Sequence, residues 1–197
     1  MQQREVVIAG GVRTAIGDFG GSLKDFSPTQ LGALVAREAL RRCEVAGDEV
    51  DQVVFGNVIH TEPVDMYLSR LISLNSGIAE RATALTLNRL CGSGLQAIVS
   101  AAQGILLGDA EIALAGGAEC MSRAPYAAPA MRFGARMGDT SLHDMMVGAL
   151  AVPADGLPAS RTVFDWISSF VIEGLARSGL PGATREGICD LALDGRT

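Results

Sequence analysis

Short apolar runs alternate with amphipathic stretches over the first 120 residues of the chain. Four apolar runs predict buried strands, at residues 5–10, 53–59, 83–90 and 112–118. Three stretches between them carry apolar residues at helical spacing and predict helices, at residues 31–43, 66–74 and 95–107. Strands that alternate with helices in this way predict right-handed crossovers and a mostly parallel sheet, and therefore an α/β fold.

The three predicted helices differ in how much of their surface is apolar. Two of them have one apolar face, which is expected to consist of Leu31, Leu34, Val35 and Leu40 in the first and of Leu68, Leu71 and Ile72 in the second. The third, at 95–107, is apolar nearly all round and should be covered on both sides. Because one sheet covers only one side, the other layer must come from more chain or from a partner subunit.

The chain changes character after residue 120. Residues 121–150 mix prolines and arginines with five methionines, which predicts an irregular excursion from the α/β pattern. Further on, residues 162–175 carry Val163, Trp166 and Phe170 at helical spacing and predict an amphipathic helix. The glycines and proline of 179–182 are expected to end this helix, and the last residues carry no clear pattern.

Composition excludes several classes of protein. Of 197 residues, 48% are apolar and 19% are charged, which is enough to build a core and excludes a disordered chain. The net charge of −6 includes no cluster of one sign, so a nucleic-acid or membrane-surface role has no electrostatic support. The sequence shows neither a signal peptide nor an apolar run near the ~20 residues of a membrane span.

Cysteine and histidine usage points to a reducing compartment and away from a metal site. The four cysteines form no CxxC pair and show no zinc spacing, so we expect a cytoplasmic protein with reduced thiols. The two histidines, His60 and His143, are expected to be surface or loop residues. Cys120 is expected to serve packing rather than chemistry.

The strongest chemical candidate is Cys91, in the sequence NRLCGSG at 88–94. Its thiol should lie where a buried strand ends and a helix begins, and N–H groups with the helix dipole stabilise a thiolate there. Flanking glycines allow close approach of a ligand, and the same N–H groups can hold an oxyanion. The alternative from the residues alone is a small buried cysteine in a tight turn.

The same turn also fits a dinucleotide-binding fingerprint. Residues 92–97 read G-x-G-x-x-A between a strand and a helix, and Glu119 stands at the end of the next strand. Against this alternative, that motif usually follows the first strand of its domain, whereas here it follows the third. Glu119 can equally be a hydrogen-bonded buried carboxylate or a residue that contacts the site residues without touching a ligand. The glycine-rich segment 10–22 lacks the GK[ST] of a phosphate-binding loop and is expected to be a surface connection.

Taken together, several motifs resemble the thiolase family, and especially the bacterial β-ketothiolases. The motifs run in order from residue 5 to 150 and are GVRTAIGDFGGSLKD, VVFGNVI, NRLCGSGLQAI, GGAECMSRAPY and RFGARMGD followed by HDMMVGAL. The resemblance implies an αβαβα fold of two similar halves, with helix 95–107 in the central layer. It implies that Cys91 accepts an acyl group from acyl-CoA, with CoA thioesters as substrates and no metal or redox cofactor.

The resemblance also implies an oligomer and a division of the chain. Intact members are expected to be homodimers or homotetramers, and the segment 123–139 matches part of the loop that joins dimers. The five methionines could line an acyl or pantetheine channel, although loop packing or a subunit contact explains them equally well. We expect a thiolase N-terminal βα domain at 1–122, the start of the loop region at 123–150 and an unmatched tail at 151–197.

Residues 151–197 depart from the family pattern. The NEAF asparagine, the GHP histidine that accepts a proton and the second cysteine, in CxGxG, do not occur in the sequence, and HDMM at His143 is a different motif. The strand that returns to the first half after the loop region is also expected to be missing. The tail is interpreted as a frameshifted or truncated product, a replacement element or a misassembled sequence. We expect this chain alone to be nearly inactive, and a non-catalytic dimerising fragment remains an alternative.

Overall fold

The computed structural model describes residues 4–150 and 172–178. Within them, seven strands form: β1 (Val6–Gly10), β2 (Gln52–Gly56), β3 (Thr83–Leu87), β4 (Ile112–Gly117), β5 (Tyr126–Ala127), β6 (His143–Asp144) and β7 (Ile172–Ser178). Four α-helices form: α1 (Pro28–Arg42), α2 (Leu68–Asn75), α3 (Ser93–Leu107) and α4 (Met145–Leu150). Short 3₁₀ turns occur at Gly47–Glu49, Pro63–Tyr67, Met121–Arg123 and Pro129–Phe133. The predicted α/β alternation is therefore confirmed over the first 120 residues.

The main sheet has the strand order β1-β7-β4-β2-β3. Strand β2 pairs in parallel with both β3 and β4, and β7 pairs antiparallel with both β1 and β4. Four of the five strands therefore run in one direction, as predicted, and only β7 opposes them. A separate ribbon of β5 and β6 lies in the excursion that follows β4.

Strand β7 corrects two expectations about the tail. Residues 172–175 were expected to end an amphipathic helix, but they belong to a strand, and this strand returns to the sheet where none was expected. Its place between β1 and β4 supplies hydrogen-bond partners on both edges, which a helix over the same residues would leave unpaired. This tertiary pairing outweighs a helical pattern that is only local. The rest of the predicted helix, at 162–171, lies outside the described residues, as do residues 179–197.

The sheet and the helices on its two faces form three layers, with apolar side chains buried on each face of the sheet. On one face of the sheet, α1 and α2 pack against Val53, Phe55 and Leu114. On the other face, α3 packs against Val54, Ala113 and Ala115. Neighbouring residues of β2 and β4 thus serve opposite cores, because successive side chains of a strand point to opposite faces. This α/β/α arrangement positions the start of α3 beside the ends of β2 and β4.

Helix boundaries follow from local capping groups. Helix α1 starts with a capping box, in which the Ser27 hydroxyl accepts from the Gln30 N–H and the Gln30 side chain accepts from the Ser27 N–H. Helix α3 ends at Gly108, which has a φ of 87° in the left-handed region that glycine adopts most easily. Both ends agree with the sequence prediction to within a few residues.

The buried face of α1 differs from the one expected. Leu31, Val35 and Leu40 are buried, but Leu34 is 52% exposed. Small residues of the same helix, among them Ala36 and Ala39, form the centre of the buried face, and Leu34 lies on the opposite side. Strand β2 is also shorter than predicted, because the chain leaves the sheet after Gly56.

Helix α3 has one covered face and one uncovered face. Ala97, Ala101 and Ile105 are buried against the sheet, whereas Leu95, Val99, Leu106 and Leu107 stay exposed, the last by 78%. Among the described residues, Leu90–Leu107 is long and apolar enough to cross a membrane by length and composition, and 28% of it is buried. A core helix of a folded domain passes the same test. The described part of the chain therefore leaves the outer face of α3 without a second layer.

Glycines let α3 approach the sheet closely at its first turn. A Cβ at Gly56 would lie 2.6 Å from the carbonyl carbon and the Cβ of Ser93, and a Cβ at Gly117 would lie 3.2 Å from Cα of Gly94. Real Cβ atoms do not approach backbone atoms at 2.6 Å, so the position of Gly56 admits no side chain unless the helix moves. The glycine ends of β2 and β4 thus determine where α3 begins.

We predict that Gly56→Ala destabilises the chain by about 1–3 kcal/mol, because the added methyl group overpacks the contact with Ser93. The matched control is Gly94→Ala, where a Cβ meets nothing within 4 Å, so the substitution should be neutral or stabilising. Urea unfolding monitored by circular dichroism measures both effects. Equal stability of the two variants would contradict the close approach.

Candidate active site

The link between β3 and α3 is a tight elbow that backbone and side-chain hydrogen bonds hold. Leu90 has a φ of 50°, a left-handed conformation that costs a non-glycine residue of order 1–3 kcal/mol. Its N–H donates to Oδ1 of Asn88 at 2.9 Å. The Ser93 hydroxyl accepts from the Arg89 N–H at 2.8 Å and donates to the Leu90 carbonyl at 2.6 Å. These bonds offset the backbone strain and fix the residue that follows, Cys91.

Cys91 occupies the place that the sequence predicts for it. Its side chain is exposed, and it directly precedes Gly92, the N-cap of α3, which provides no side-chain cap. The N–H groups of Gly92 and Ser93 donate to the Arg89 and Leu90 carbonyls at 3.1 and 2.9 Å. The N–H groups of Gly94 and Leu95, in the first turn of α3, are therefore the ones available to an anion. The alternative of a buried cysteine in a tight turn is therefore wrong for this position.

Cys91 lines a pocket of about 460 Å³. The pocket lies at the carboxyl ends of β2 and β4, where the elbow and several connecting segments meet. Its lining residues are Ile16, Gly56, Asn57, Val58, Ile59, Leu90, Cys91, Ser93, Gly94, Gly117, Ala118, Glu119, Met121, Ala149 and Leu150. A volume of this size falls in the range of small-molecule sites, and its lining is mainly apolar.

Sequence reasoning missed several of these lining residues. Ile16 belongs to the segment that was expected to be only a surface connection, and Val58 and Ile59 were assigned to a strand. Ala149 and Leu150 come from α4, at the end of the excursion. The side chains of these residues are all apolar and carry no reactive or polar group that would mark a site in the sequence. Only the tertiary arrangement shows that they share a pocket with Cys91.

Glu119 is the one titratable side chain besides Cys91 among the residues described as lining this pocket. Its carboxylate accepts from the Val58 N–H at 2.8 Å, from the Ile59 N–H at 3.3 Å and from Nδ2 of Asn57 at 3.3 Å. It therefore fastens the segment that follows β2 to the end of β4. The first of the two roles considered for Glu119, that of a hydrogen-bonded and largely buried carboxylate, therefore agrees with the structure.

Burial raises the pKa of Glu119 from 4.5 to about 7. The N–H donors of Val58 and Ile59 and the side chain of Asn57 hold the pKa down, and the negative charge of Asp65 raises it further. The carboxyl group thus changes its charge near neutral pH within the pocket that contains Cys91.

Among the other candidate residues, only Met121 lines this pocket, as the structure describes it. Cys120 is buried and packs its sulfur near the Leu23 and Lys24 carbonyls, and His60 and His143 are exposed, all as predicted. Met121 lines the pocket, but Met131 and Met137 are exposed, so the methionines do not form one channel. The described residues contain no group of three or more histidine, cysteine or acidic side chains placed to hold a metal ion.

The dinucleotide alternative gains no support from this geometry. Its fingerprint needs an acidic side chain that can bind a ribose hydroxyl. Glu119 instead accepts three N–H groups of the chain itself. The turn at 92–94 also follows β3, the third strand in sequence, rather than the first.

We predict that the stability of the chain falls, relative to Glu119→Gln, as the pH rises from about 4.5 to about 7. A carboxyl group whose pKa is higher in the folded state binds more protons when folded, so folding loses free energy as the group ionises. The difference amounts to at most about 3–4 kcal/mol, at about 1.4 kcal/mol per pH unit over the interval from 4.5 to about 7. Urea unfolding of both proteins at pH 5 and pH 8 measures it, and a constant difference would contradict the assignment.

Comparisons with known proteins agree with the resemblance. Residues 6–162 match the family description "Thiolase, N-terminal domain". The β-ketothiolase BktB of Cupriavidus necator is 69% identical over 76% of this chain and 38% of its own length. An acetyl-CoA acetyltransferase of Syntrophomonas wolfei is 46% identical over 68% of this chain and 34% of its own length.

A solved structure is similar in fold as well as in sequence. The crystal structure of human mitochondrial 3-ketoacyl-CoA thiolase in complex with CoA superposes with a TM-score of 0.77 at 41% identity. The match covers 81% of this chain and 40% of the human chain. The chain thus spans about two fifths or less of the length of the relatives it matches. On the family match and the shared fold, this chain belongs to the thiolase family, and what it covers is the N-terminal domain.

Proposed function

We propose that this chain carries the acyl-accepting half of a thiolase-type acyltransferase site, with Cys91 as the nucleophile. The observation that carries the proposal is the exposed Cys91 at the first turn of α3, inside a pocket of about 460 Å³. The substrate class is an acyl-CoA thioester. Two relatives that are named for CoA thioesters, an acetyl-CoA acetyltransferase and a 3-ketoacyl-CoA thiolase solved in complex with CoA, support this choice.

The proposed step exchanges one thioester for another. The Cys91 sulfur attacks the carbonyl carbon of the acyl-CoA, and the bond between this carbon and the CoA sulfur breaks. CoA leaves as a thiolate and takes up the proton that the Cys91 thiol gave to solvent. N–H groups at the start of α3 stabilise the negative charge that develops on the carbonyl oxygen.

The complete reaction needs groups beyond this acyl transfer. In the family, the acyl-cysteine reacts with a second acyl-CoA in a Claisen condensation, or free CoA cleaves a 3-ketoacyl-CoA in the reverse direction. The proton-accepting histidine and the second cysteine of the family do not occur among these 197 residues. General acid–base help contributes ~10²–10⁴-fold, so we propose that this chain alone is acylated but turns over very slowly.

The proposed chemistry requires no metal or redox cofactor, because the nucleophile and the leaving group are both thiols.

The cellular compartment and the oligomeric state of the protein stay predictions. The relatives include bacterial proteins and a mitochondrial one, so they do not select a compartment. The exposed Phe133 and Met137 fall in the segment 123–139, which the family resemblance assigns to contacts between dimers.

A non-catalytic dimerising module is the second candidate function. It is favoured by the uncovered face of α3, where Leu95, Val99, Leu106 and Leu107 are exposed together. Sedimentation velocity of the chain tests this candidate. A dimer that dissociates when Leu107 becomes Asp supports it, and a monomer at all concentrations contradicts it.

The acyl-transfer proposal predicts a single-turnover reaction with acetyl-CoA. The full chain should release about one CoA per chain and then slow sharply, because acylation occurs without a second half-reaction. Mass spectrometry of the peptide that contains Cys91 should show one acetyl group. Cys91→Ala should abolish both signals, and the matched control Cys43→Ala should retain them. An unlabelled Cys91, or equal labelling of Cys43, would refute the role of Cys91.

A further inference from the structure

We propose that Glu119 is a positioning residue for the Cys91 elbow and acts through the Val58–Ile59 peptide group and the Asn88 side chain. The proposal rests on the role of Cys91 proposed above. It follows from a continuous series of hydrogen bonds that joins the end of β4, the segment after β2 and the link between β3 and α3.

The first link joins Glu119 to the segment that follows β2. The Val58 N–H donates to Oε2 of Glu119 at 2.8 Å, and the Ile59 N–H donates to Oε1 at 3.3 Å. Asn57 strengthens this link, because its Nδ2 donates to the Ala118 carbonyl at 2.9 Å and to Oε1 of Glu119 at 3.3 Å. The carboxyl group of Glu119 therefore holds two successive peptide groups, and the second of them, between Val58 and Ile59, carries the Val58 carbonyl.

The second link joins that segment to the elbow. Nδ2 of Asn88 donates to the Val58 carbonyl at 3.4 Å, and Oδ1 of the same side chain accepts the Leu90 N–H at 2.9 Å. A backbone bond runs beside it, from the Asn57 N–H to the Leu87 carbonyl at 3.0 Å. The Asn88 amide thus has one end on the segment that Glu119 holds and the other end on Leu90.

The elbow needs this support because Leu90 is in a left-handed conformation. A free chain would relax to a negative φ and would turn Cys91 away from the first turn of α3. Asn88 opposes this relaxation only while its own amide group is oriented, and the Val58 carbonyl orients it. Glu119 acts at one remove from Cys91, so it positions the nucleophile and need not touch the substrate.

A double-mutant cycle in the full chain tests this path. The readout is the second-order rate at which iodoacetamide alkylates Cys91, measured by mass spectrometry of its peptide. Glu119→Ala and Asn88→Ala should each slow alkylation about tenfold, and the double variant should be no slower than the slower single one, since both break one path. Glu119→Gln should restore most of the rate, because its amide oxygen accepts the Val58 N–H.

A charged reagent separates positioning from a simple charge effect. If Glu119 positions the elbow, Glu119→Ala slows iodoacetate and iodoacetamide by the same factor. If Glu119 acts only through its charge, the variant raises the rate of the anionic iodoacetate relative to that of iodoacetamide, which would overturn the proposal. The matched control is Asp51→Ala, which removes a carboxylate that accepts the Glu111 and Ile112 N–H groups at the start of β4 and should leave the Cys91 rate unchanged.

The proposal would also be overturned if the losses of alkylation rate in Glu119→Ala and Asn88→Ala multiply in the double variant. If Glu119→Ala does not fold, Glu119→Asp takes its place in the cycle, because its shorter side chain cannot reach the Val58 N–H. A wild-type Cys91 rate in a folded Glu119→Asp variant would then overturn it. The acetyl-CoA experiment stays separate: an unacylated Cys91 together with non-additive alkylation rates refutes the proposed function and leaves the positioning role intact.

Discussion

The site depends on the close approach of backbone to backbone where α3 begins. Gly56 ends β2 and leaves no room for a Cβ against Ser93, and Gly117 ends β4, where a Cβ would lie in tight contact with Gly94. Because the helix lies this close to the strand ends, its first turn and Cys91 line the same pocket as Glu119. A side chain at Gly56 would move the helix start and Cys91 together, so packing and the geometry of the pocket share one steric requirement.

The elbow combines a strained residue with the bonds that offset its strain. Leu90 adopts a positive φ, and Asn88 and Ser93 bind its N–H and its carbonyl. Strain of this kind persists only where the surrounding structure holds it, and it is often found at reactive sites. Cys91, the first turn of α3 and the largely buried carboxyl group of Glu119 lie together in one pocket. The proposed acyl transfer to a thiol depends on these groups.

How much the sequence predicts depends on whether a feature is local. The apolar runs and helical periodicity identify β1 to β4 and α1 to α3, and the NRLCGSG motif identifies Cys91 and its helix, because spacing and capping are properties of neighbouring residues. Strand β7 was not predicted, because its partners β1 and β4 lie more than 50 residues away in the chain. The contacts of Glu119 with Val58 and Ile59 also join distant segments, so the sequence left its role open.

We propose that the fold, and not the cysteine itself, makes Cys91 reactive. Comparing the iodoacetamide alkylation rates of Cys91 and Cys43 in the native chain and in urea tests this directly. We expect Cys91 to react faster in the native chain than in urea at neutral pH, whereas the half-buried Cys43 should react more slowly when native. A Cys91 that reacts no faster in the native chain than in urea would contradict it.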